Sequence, residues 1–190
     1  MGRPNRLQIP GGIYHVNTNA IREEPIFVTD DDRSFFLRRL AHVTRKCGLR
    51  IHAYVLMTTH FHLLVETPRA NLSLAMKLLN NVYALRFNEV HGHRGHLVRA
   101  RFADTLVKSD AHFLEVARYL PLNPVRGGIV QHPAEWPWSS YCATAGLAPC
   151  PSFLTIERVL GYFGDDRREA QAAYEEFVLE RLGLSAAVAA

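Results

Sequence analysis

Apolar and polar positions alternate along residues 12–19 and again along residues 60–66. Between and after these runs the apolar positions recur every three or four residues. Alternation sends successive side chains to opposite faces of a strand, and the longer period builds one face of a helix. Residues 12–19 (Gly-Ile-Tyr-His-Val-Asn-Thr-Asn) predict a first strand after the break at Pro10-Gly11-Gly12. Asp30-Asp31-Asp32 then open a helix, where negative charge suits the N-terminal dipole. Phe36, Leu40, Val43 and Cys47 give that helix its core face, and Gly48 stops it. Residues 49–57 predict a second strand with Ile51, Ala53, Val55 and Met57 on one face. Thr58-Thr59 turns tightly into the run beginning at His60, so these two strands form a hairpin. Asn71 caps a long helix reaching about Val90, with Leu72, Ala75, Leu79, Val82 and Tyr83 as its stripe. Residues 102–108 predict a fourth strand, and Asp110 caps a short helix that buries Phe113, Val116, Ala117 and Leu120.

The order β-α-β-β-α-β followed by a helix predicts an α+β fold. It is the ferredoxin-like split βαβ arrangement, an antiparallel sheet with helices packed on one face. Trp136-Pro137-Trp138 marks an irregular connector, and residues 153–163 and 167–182 carry two further helical patterns. The expected division is a first domain over residues 1–130, then a connector and helical extension over 131–190 packed on the same domain. A chain of 190 residues with 48% hydrophobic content is long enough to bury a core, and that content argues against disorder. No apolar run reaches the length of a membrane span, and Met-Gly-Arg-Pro-Asn-Arg lacks an apolar signal core. Three cysteines, Cys47, Cys142 and Cys150, fit a reducing compartment without a disulfide framework. The expected location is the cytoplasm.

Charge changes the picture because it is uneven. The net charge is +4, but residues 165–190 hold six acids against three bases, which leaves an excess of +7 on the rest of the chain. A basic body predicts a polyanionic partner. Arg94, Arg99 and Arg101, in the basic, glycine-punctuated stretch before the fourth strand, and Lys108 are candidates to track a nucleic-acid backbone. Arg3 and Arg6 offer a second path along the N-terminal arm. His91, His93 and His96 in the same stretch suit phosphate contact or loop solubility better than a metal. Trp136 and Trp138 read as packing anchors for the C-terminal helices.

The candidate chemistry lies in Thr59-His-Phe-His-Leu-Leu-Val-Glu66. His60, His62, Leu64 and Glu66 share one strand face, and two imidazoles converging from one face make half of a divalent-metal site. Taken alone such a pair is more often structural than metal-binding. A second pattern answers it. Glu115, Tyr119 and Asn123 recur every four residues on the short helix, off its apolar stripe. A tyrosine phenol ionises near pH ~10 and needs help to act as a nucleophile. A metal held by His60, His62 and the Asn123 carboxamide would bind a scissile phosphate, neutralise charge developing there and favour release of a 3′ oxygen. The product would be a tyrosyl phosphate. Glu66 shares the histidine face and reads either as a partner behind the ligands or as a solvent-facing strand end.

These residues resemble those of the single-tyrosine HUH transposases, most closely the REP-associated tyrosine transposases. The likeness runs from about Ile13 to Leu182. It is carried by Tyr14-His15-Val16, Glu24-Pro25-Ile26-Phe27, His52-Ala-Tyr-Val-Leu-Met57, the His60–Glu66 run, Gly95-His96-Leu97 with Arg101-Phe102, Arg118-Tyr119, Leu122-Asn-Pro-Val-Arg126 and Trp138-Ser-Ser-Tyr141. The resemblance implies cleavage and rejoining of single-stranded or hairpin DNA through a 5′-phosphotyrosine. It implies Tyr119 as nucleophile, His60 and His62 with Asn123 as ligands of Mg²⁺ or Mn²⁺, and a monomer or homodimer. The chain departs from the family at Thr59, where Asn is common, at Pro121, where His is common, and at Arg99-Ala100, where Gln-Gly is common. Pro121 removes a helix hydrogen bond beside the tyrosine and predicts a tilt at Asn123. The alternatives are a hairpin-binding relative that does not cut, and a metal-dependent hydrolase of small phosphate esters that uses water and forms no adduct.

Overall fold

The computed structural model describes residues 8–21, 24–98 and 102–183. Four strands, β1 (Gly12–Asn19), β2 (Arg50–Leu56), β3 (His60–Thr67) and β4 (Ala103–Leu106), form one antiparallel sheet in the order β2-β3-β1-β4. β1 and β3 therefore lie in the middle. Helices α1 (Asp30–Cys47) and α2 (Leu72–His91) are the two crossover connections. This is the expected split βαβ arrangement.

Local chemistry fixes the ends of α1. Thr29 accepts a hydrogen bond from the Asp32 amide, and the Asp32 carboxylate accepts from the Thr29 amide, so both orphan donors are satisfied. Gly48 terminates the helix in the left-handed region, at φ 67°. His91, at the last turn of α2, reaches the same Asp32 at 2.9 Å and ties the two helices together. His93 turns to Asn88 and Glu24, so these two histidines serve the loop rather than a metal.

α1 and α2 cover one sheet face through an aromatic cluster. Phe36 meets Phe61 of β3 with ring centroids 4.6 Å apart, and Phe27 and Tyr83 close around it. All four are almost wholly buried. Full burial of a side chain of this size contributes roughly 1.5–3 kcal/mol relative to exposure. A third helix, α3 (Asp110–Arg126), capped by Ser109 rather than Asp110, lies across the opposite face. It places Phe113 against His52 and Tyr119 beside His62. The sheet is thus covered on both sides, and the histidine face is the one under α3.

The second strand departs from strict alternation. Ile51 pairs with Val65, but Ala53 pairs with Leu64, so His52 is an inserted residue and β2 bulges there. Ala53 and Val55 therefore share the histidine face while Ile51 lies on the other, which corrects the expected single row from Ile51 to Met57. The bulge turns His52 inward. Its Nε2 meets Glu66 at 3.1 Å and its Nδ1 meets the Thr155 carbonyl at 3.1 Å. Glu66 is buried and also binds Arg50 at 2.5 Å, so it belongs to this network and not to solvent.

The chain after α3 runs along the free edge of β2. The Leu56 amide donates to the Trp138 carbonyl at 2.9 Å, the Ser140 amide to the Tyr54 carbonyl at 3.0 Å, and the Thr155 amide to the Ile51 carbonyl at 2.7 Å. Leu154 is thereby held in a parallel bridge to Ile51. The helix expected over 153–163 shrinks to α5 (Glu157–Leu160), because pairing with a sheet edge outcompetes the helical pattern. Between the edge contacts sits one turn, α4 (Tyr141–Thr144), and the chain ends with α6 (Arg167–Glu180). Trp136 and Trp138 flank the Arg33 guanidinium at 5.5 and 5.8 Å, and Trp136 Nε1 donates to the Leu56 carbonyl. They are packing anchors, but against α1 and the end of β2 rather than for the C-terminal helices as expected. No helix among the described residues is long and apolar enough to cross a membrane.

Candidate active site under the third helix

Register builds the site. In β1 the buried Tyr14, Val16 and Thr18 alternate with the half-buried His15, Asn17 and Asn19. The antiparallel pairing sets Asn19 opposite His60 and Asn17 opposite His62. Five polar side chains from two central strands therefore stand on one face. The rings of His60 and His62 are 5.0 Å apart, and His62 is 5% exposed.

Each of the two histidines has its Nδ1 occupied. Thr59 Oγ1 lies 3.2 Å from His60 Nδ1, and His15 Nε2 lies 3.0 Å from His62 Nδ1. Thr59 thus supplies a polar partner to the first histidine at the position where the chain departs from the family pattern. In both rings Nε2 is the nitrogen left for a ligand. Burial, and for His62 the neighbouring His15 and His60, lowers the imidazole pKa values. His62 falls to about 3, and His60 and His15 also lie below the ordinary value, His15 through burial and then His112. These rings are neutral near neutral pH, which is the form that binds a metal.

α3 brings the hydroxyl. The Tyr119 ring lies 5.9 Å from the His62 ring and 6.1 Å from that of His15. Asn123 is one turn further on, as its spacing predicts. Its Nδ2 donates to the Tyr119 carbonyl at 2.9 Å and the Leu120 carbonyl at 3.2 Å. The second bond has a clear cause. Pro124 has no N–H to offer the Leu120 carbonyl, and the asparagine amide takes its place. With Nδ2 committed to the helix, Oδ1 is the atom Asn123 retains for a ligand. Pro121 and Pro124 both lie inside α3, which continues to Arg126, so Pro121 does not end the helix before Asn123.

Among the described residues no three His, Cys, Asp or Glu side chains are grouped so as to hold a metal ion. The donor set nevertheless fits one in part. Two neutral imidazoles offer Nε2, Asn123 offers Oδ1, and Asn17 Oδ1, in register with His62, is buried without a hydrogen-bond partner. A buried acceptor left unpaired carries a cost of about 1–3 kcal/mol, which a water or cation bound there would relieve. The remaining coordination positions fall to water or phosphate oxygens.

Arg126 completes the cluster. Seven residues after Tyr119, on the same helix face, it holds its guanidinium 5.4 Å from the tyrosine ring centre. The sequence reading gave no role to Arg126, His15 or Asn17. The i, i+4, i+7 spacing of Tyr119, Asn123 and Arg126, and the polar row His15-Asn17-Asn19, were the available signals. Arg94 and Lys108 are exposed on loops outside the set formed by β1, β3 and α3. Arg3, Arg6, Arg99 and Arg101 lie outside the described residues.

The sequence profile of the family described as "Transposase IS200 like" matches residues 9–119. No curated protein sequence matches the chain. Among solved structures, the chain is similar to a REP-associated tyrosine transposase bound to a REP hairpin. The TM-score is 0.66 at 20% identity, over 82% of this chain and 92% of that one. A candidate transposase from Deinococcus radiodurans gives a TM-score of 0.44 at 19% identity, over 63% of this chain and 93% of that one. A tRNA(His) guanylyltransferase from Saccharomyces cerevisiae gives 0.46 at 9% identity, over 99% and 85%.

Proposed function

Because the chain belongs to the IS200-like transposase family, we propose that it cleaves and rejoins single-stranded, hairpin-forming DNA through a covalent 5′-phosphotyrosine on Tyr119. The observation that carries this reading is the juxtaposition of Tyr119 with His62 of the β3 histidine pair, ring to ring at 5.9 Å. His60 and His62 would hold a Mg²⁺ or Mn²⁺ ion through Nε2, with Asn123 Oδ1 as a third protein ligand. Such an ion would supply charge neutralisation at the scissile phosphate and the departing oxygen.

The chain's own groups do the rest. Tyr119 Oη forms a bond to phosphorus and the P–O3′ bond breaks. The phenol proton is lost as the bond forms, the 3′ oxygen is protonated as it leaves, and the 5′ end stays on the protein. Rejoining is the reverse attack by a 3′ hydroxyl. α3 holds the tyrosine over the sheet, so the reacting oxygen is positioned by a helix rather than a loop. Arg126 places a positive charge where phenolate and phosphate charge develop. The imidazoles, kept neutral by burial, bring no carboxylate that would repel the DNA backbone.

The test is incubation with labelled single-stranded oligonucleotides carrying a hairpin, with and without Mn²⁺, followed by a denaturing gel. The expected result is a metal-dependent adduct of protein and DNA that Tyr119→Phe abolishes. Retained DNA binding with no adduct in the wild type would instead support a non-cleaving hairpin binder. Metal-dependent hydrolysis without an adduct would support the phosphate-ester hydrolase.

A further inference from the structure

We propose that His15 is a positioning residue. Its Nε2 accepts the Nδ1–H of His62 and so holds His62 in the one neutral tautomer whose Nε2 lone pair would be free for a metal. This inference rests on the reading of His62 as a ligand.

The argument starts from the 3.0 Å contact between His15 Nε2 and His62 Nδ1. Two imidazole nitrogens at that distance share one proton, so one donates and the other accepts. If His15 donates, a neutral His62 carries its proton on Nε2 and cannot offer that nitrogen to a cation. If His15 accepts, Nδ1 of His62 is protonated and Nε2 is free. One hydrogen bond therefore decides whether the buried ring is a ligand at all. Rigid elements hold the contact in place. Both residues lie on the two central strands, one diagonal step apart in a ladder where His15 pairs with Leu64 and Asn17 with His62. The His15 ring also lies 6.1 Å from Tyr119, so it fills the space between strand and helix and limits ring rotation. Ligand histidines usually need such a partner on the second nitrogen, and its loss costs about tenfold to a hundredfold in metal affinity.

The experiment separates the hydrogen bond from simple packing. In metal-free protein with ¹⁵N-labelled histidine, long-range ¹H–¹⁵N spectra report which ring nitrogen of His62 is protonated, with the His62→Gln spectrum giving the assignment. The wild type is expected to show Nδ1–H. His15→Leu keeps bulk but offers no acceptor, and His62 should move to Nε2–H, the form a solvated imidazole favours. His15→Gln can place Oε1 where Nε2 stood, and should preserve Nδ1–H. Calorimetric titration with Mn²⁺ should then show about tenfold to a hundredfold weaker binding in the leucine variant and near wild-type binding in the glutamine variant. A leucine variant with unchanged His62 nitrogen signals and unchanged Mn²⁺ affinity overturns the proposal. If the leucine variant does not fold, His15→Lys takes its place against His15→Gln, because an ammonium can only donate to Nδ1 and must force Nε2–H. If the wild type binds no Mn²⁺, the ligand reading of His62 fails. The metal-free spectra still decide the role of His15.

Discussion

At the residue scale the unusual property of the site is a group of buried imidazoles without a carboxylate among them. His62, His60 and His15 all resist protonation because burial disfavours the cation. The consequence for stability has a definite sign. An unfolded chain takes up protons on these rings as the pH falls through about 6.5, while the folded chain takes them up only at lower pH, about 3 for His62. Stability is therefore fully present above pH ~6.5 and is lost as the pH falls toward 3, each unit of difference corresponding to about 1.4 kcal/mol per group. Urea unfolding midpoints at pH 7.5 and pH 5 should fall on acidification, and His62→Gln should flatten the dependence. Tyr119→Phe is expected to leave the unfolding free energy within about 0.5 kcal/mol of wild type while removing any adduct. An unfolding free energy lowered by several kcal/mol would make Tyr119 a packing residue. His60, His62 and Tyr119 were legible in the sequence because spacing alone puts them on chosen faces. His15 was not, because its partnership with His62 depends on which strand β1 pairs with, and periodicity carries no pairing information.

At the scale of elements, α3 carries the proposed nucleophile and repairs its own backbone. Asn123 is the proposed ligand and also the donor to the Tyr119 and Leu120 carbonyls, and substitution separates the two. Asn123→Asp keeps an oxygen for a cation but loses the amide donor to the Tyr119 and Leu120 carbonyls. It should lower stability by about 1 kcal/mol and leave Mn²⁺ binding intact or stronger. Asn123→Leu loses both and should weaken binding as well, as read by calorimetry and thermal melting. Equal Mn²⁺ affinity in the two variants would exclude the side chain as a ligand. Strand β2 offers a second case. The inserted His52 links Glu66 to the Thr155 carbonyl, and His52→Leu would strip one partner from each. An unfolding free energy reduced by about 2–3 kcal/mol is expected, and a neutral substitution would show that Arg50 and Arg158 satisfy the carboxylate without His52. The motif His52-Ala-Tyr-Val-Leu-Met57 was visible, but the bulge was not. A one-residue insertion leaves no mark in a run that is apolar on both faces.

At the scale of the molecule, the sheet order and the crossover helices followed from the order of elements, whereas the path of the C-terminal third did not. Its helical pattern competes with an unfilled strand edge, and the outcome depends on contacts about a hundred residues distant in sequence. The expected division set residues 1–130 as a first domain with residues 131–190 packed on it. The bonds from Trp138, Ser140 and Thr155 to β2 give a testable consequence: a 1–130 fragment should be produced but should scatter light and sediment as a polydisperse species, where the full chain is uniform. A uniform, folded fragment would show that the edge needs no cover. The same feature bears on how the protein is made. A chain emerging from a ribosome completes both inner strands and all of α3 while β2 still shows an open row of amides and carbonyls. Synthesis at about 5–20 residues per second leaves that row uncovered for seconds, until the segment around Thr155 is out. During that interval the nascent protein presents a docking edge to any neighbouring chain on the same message.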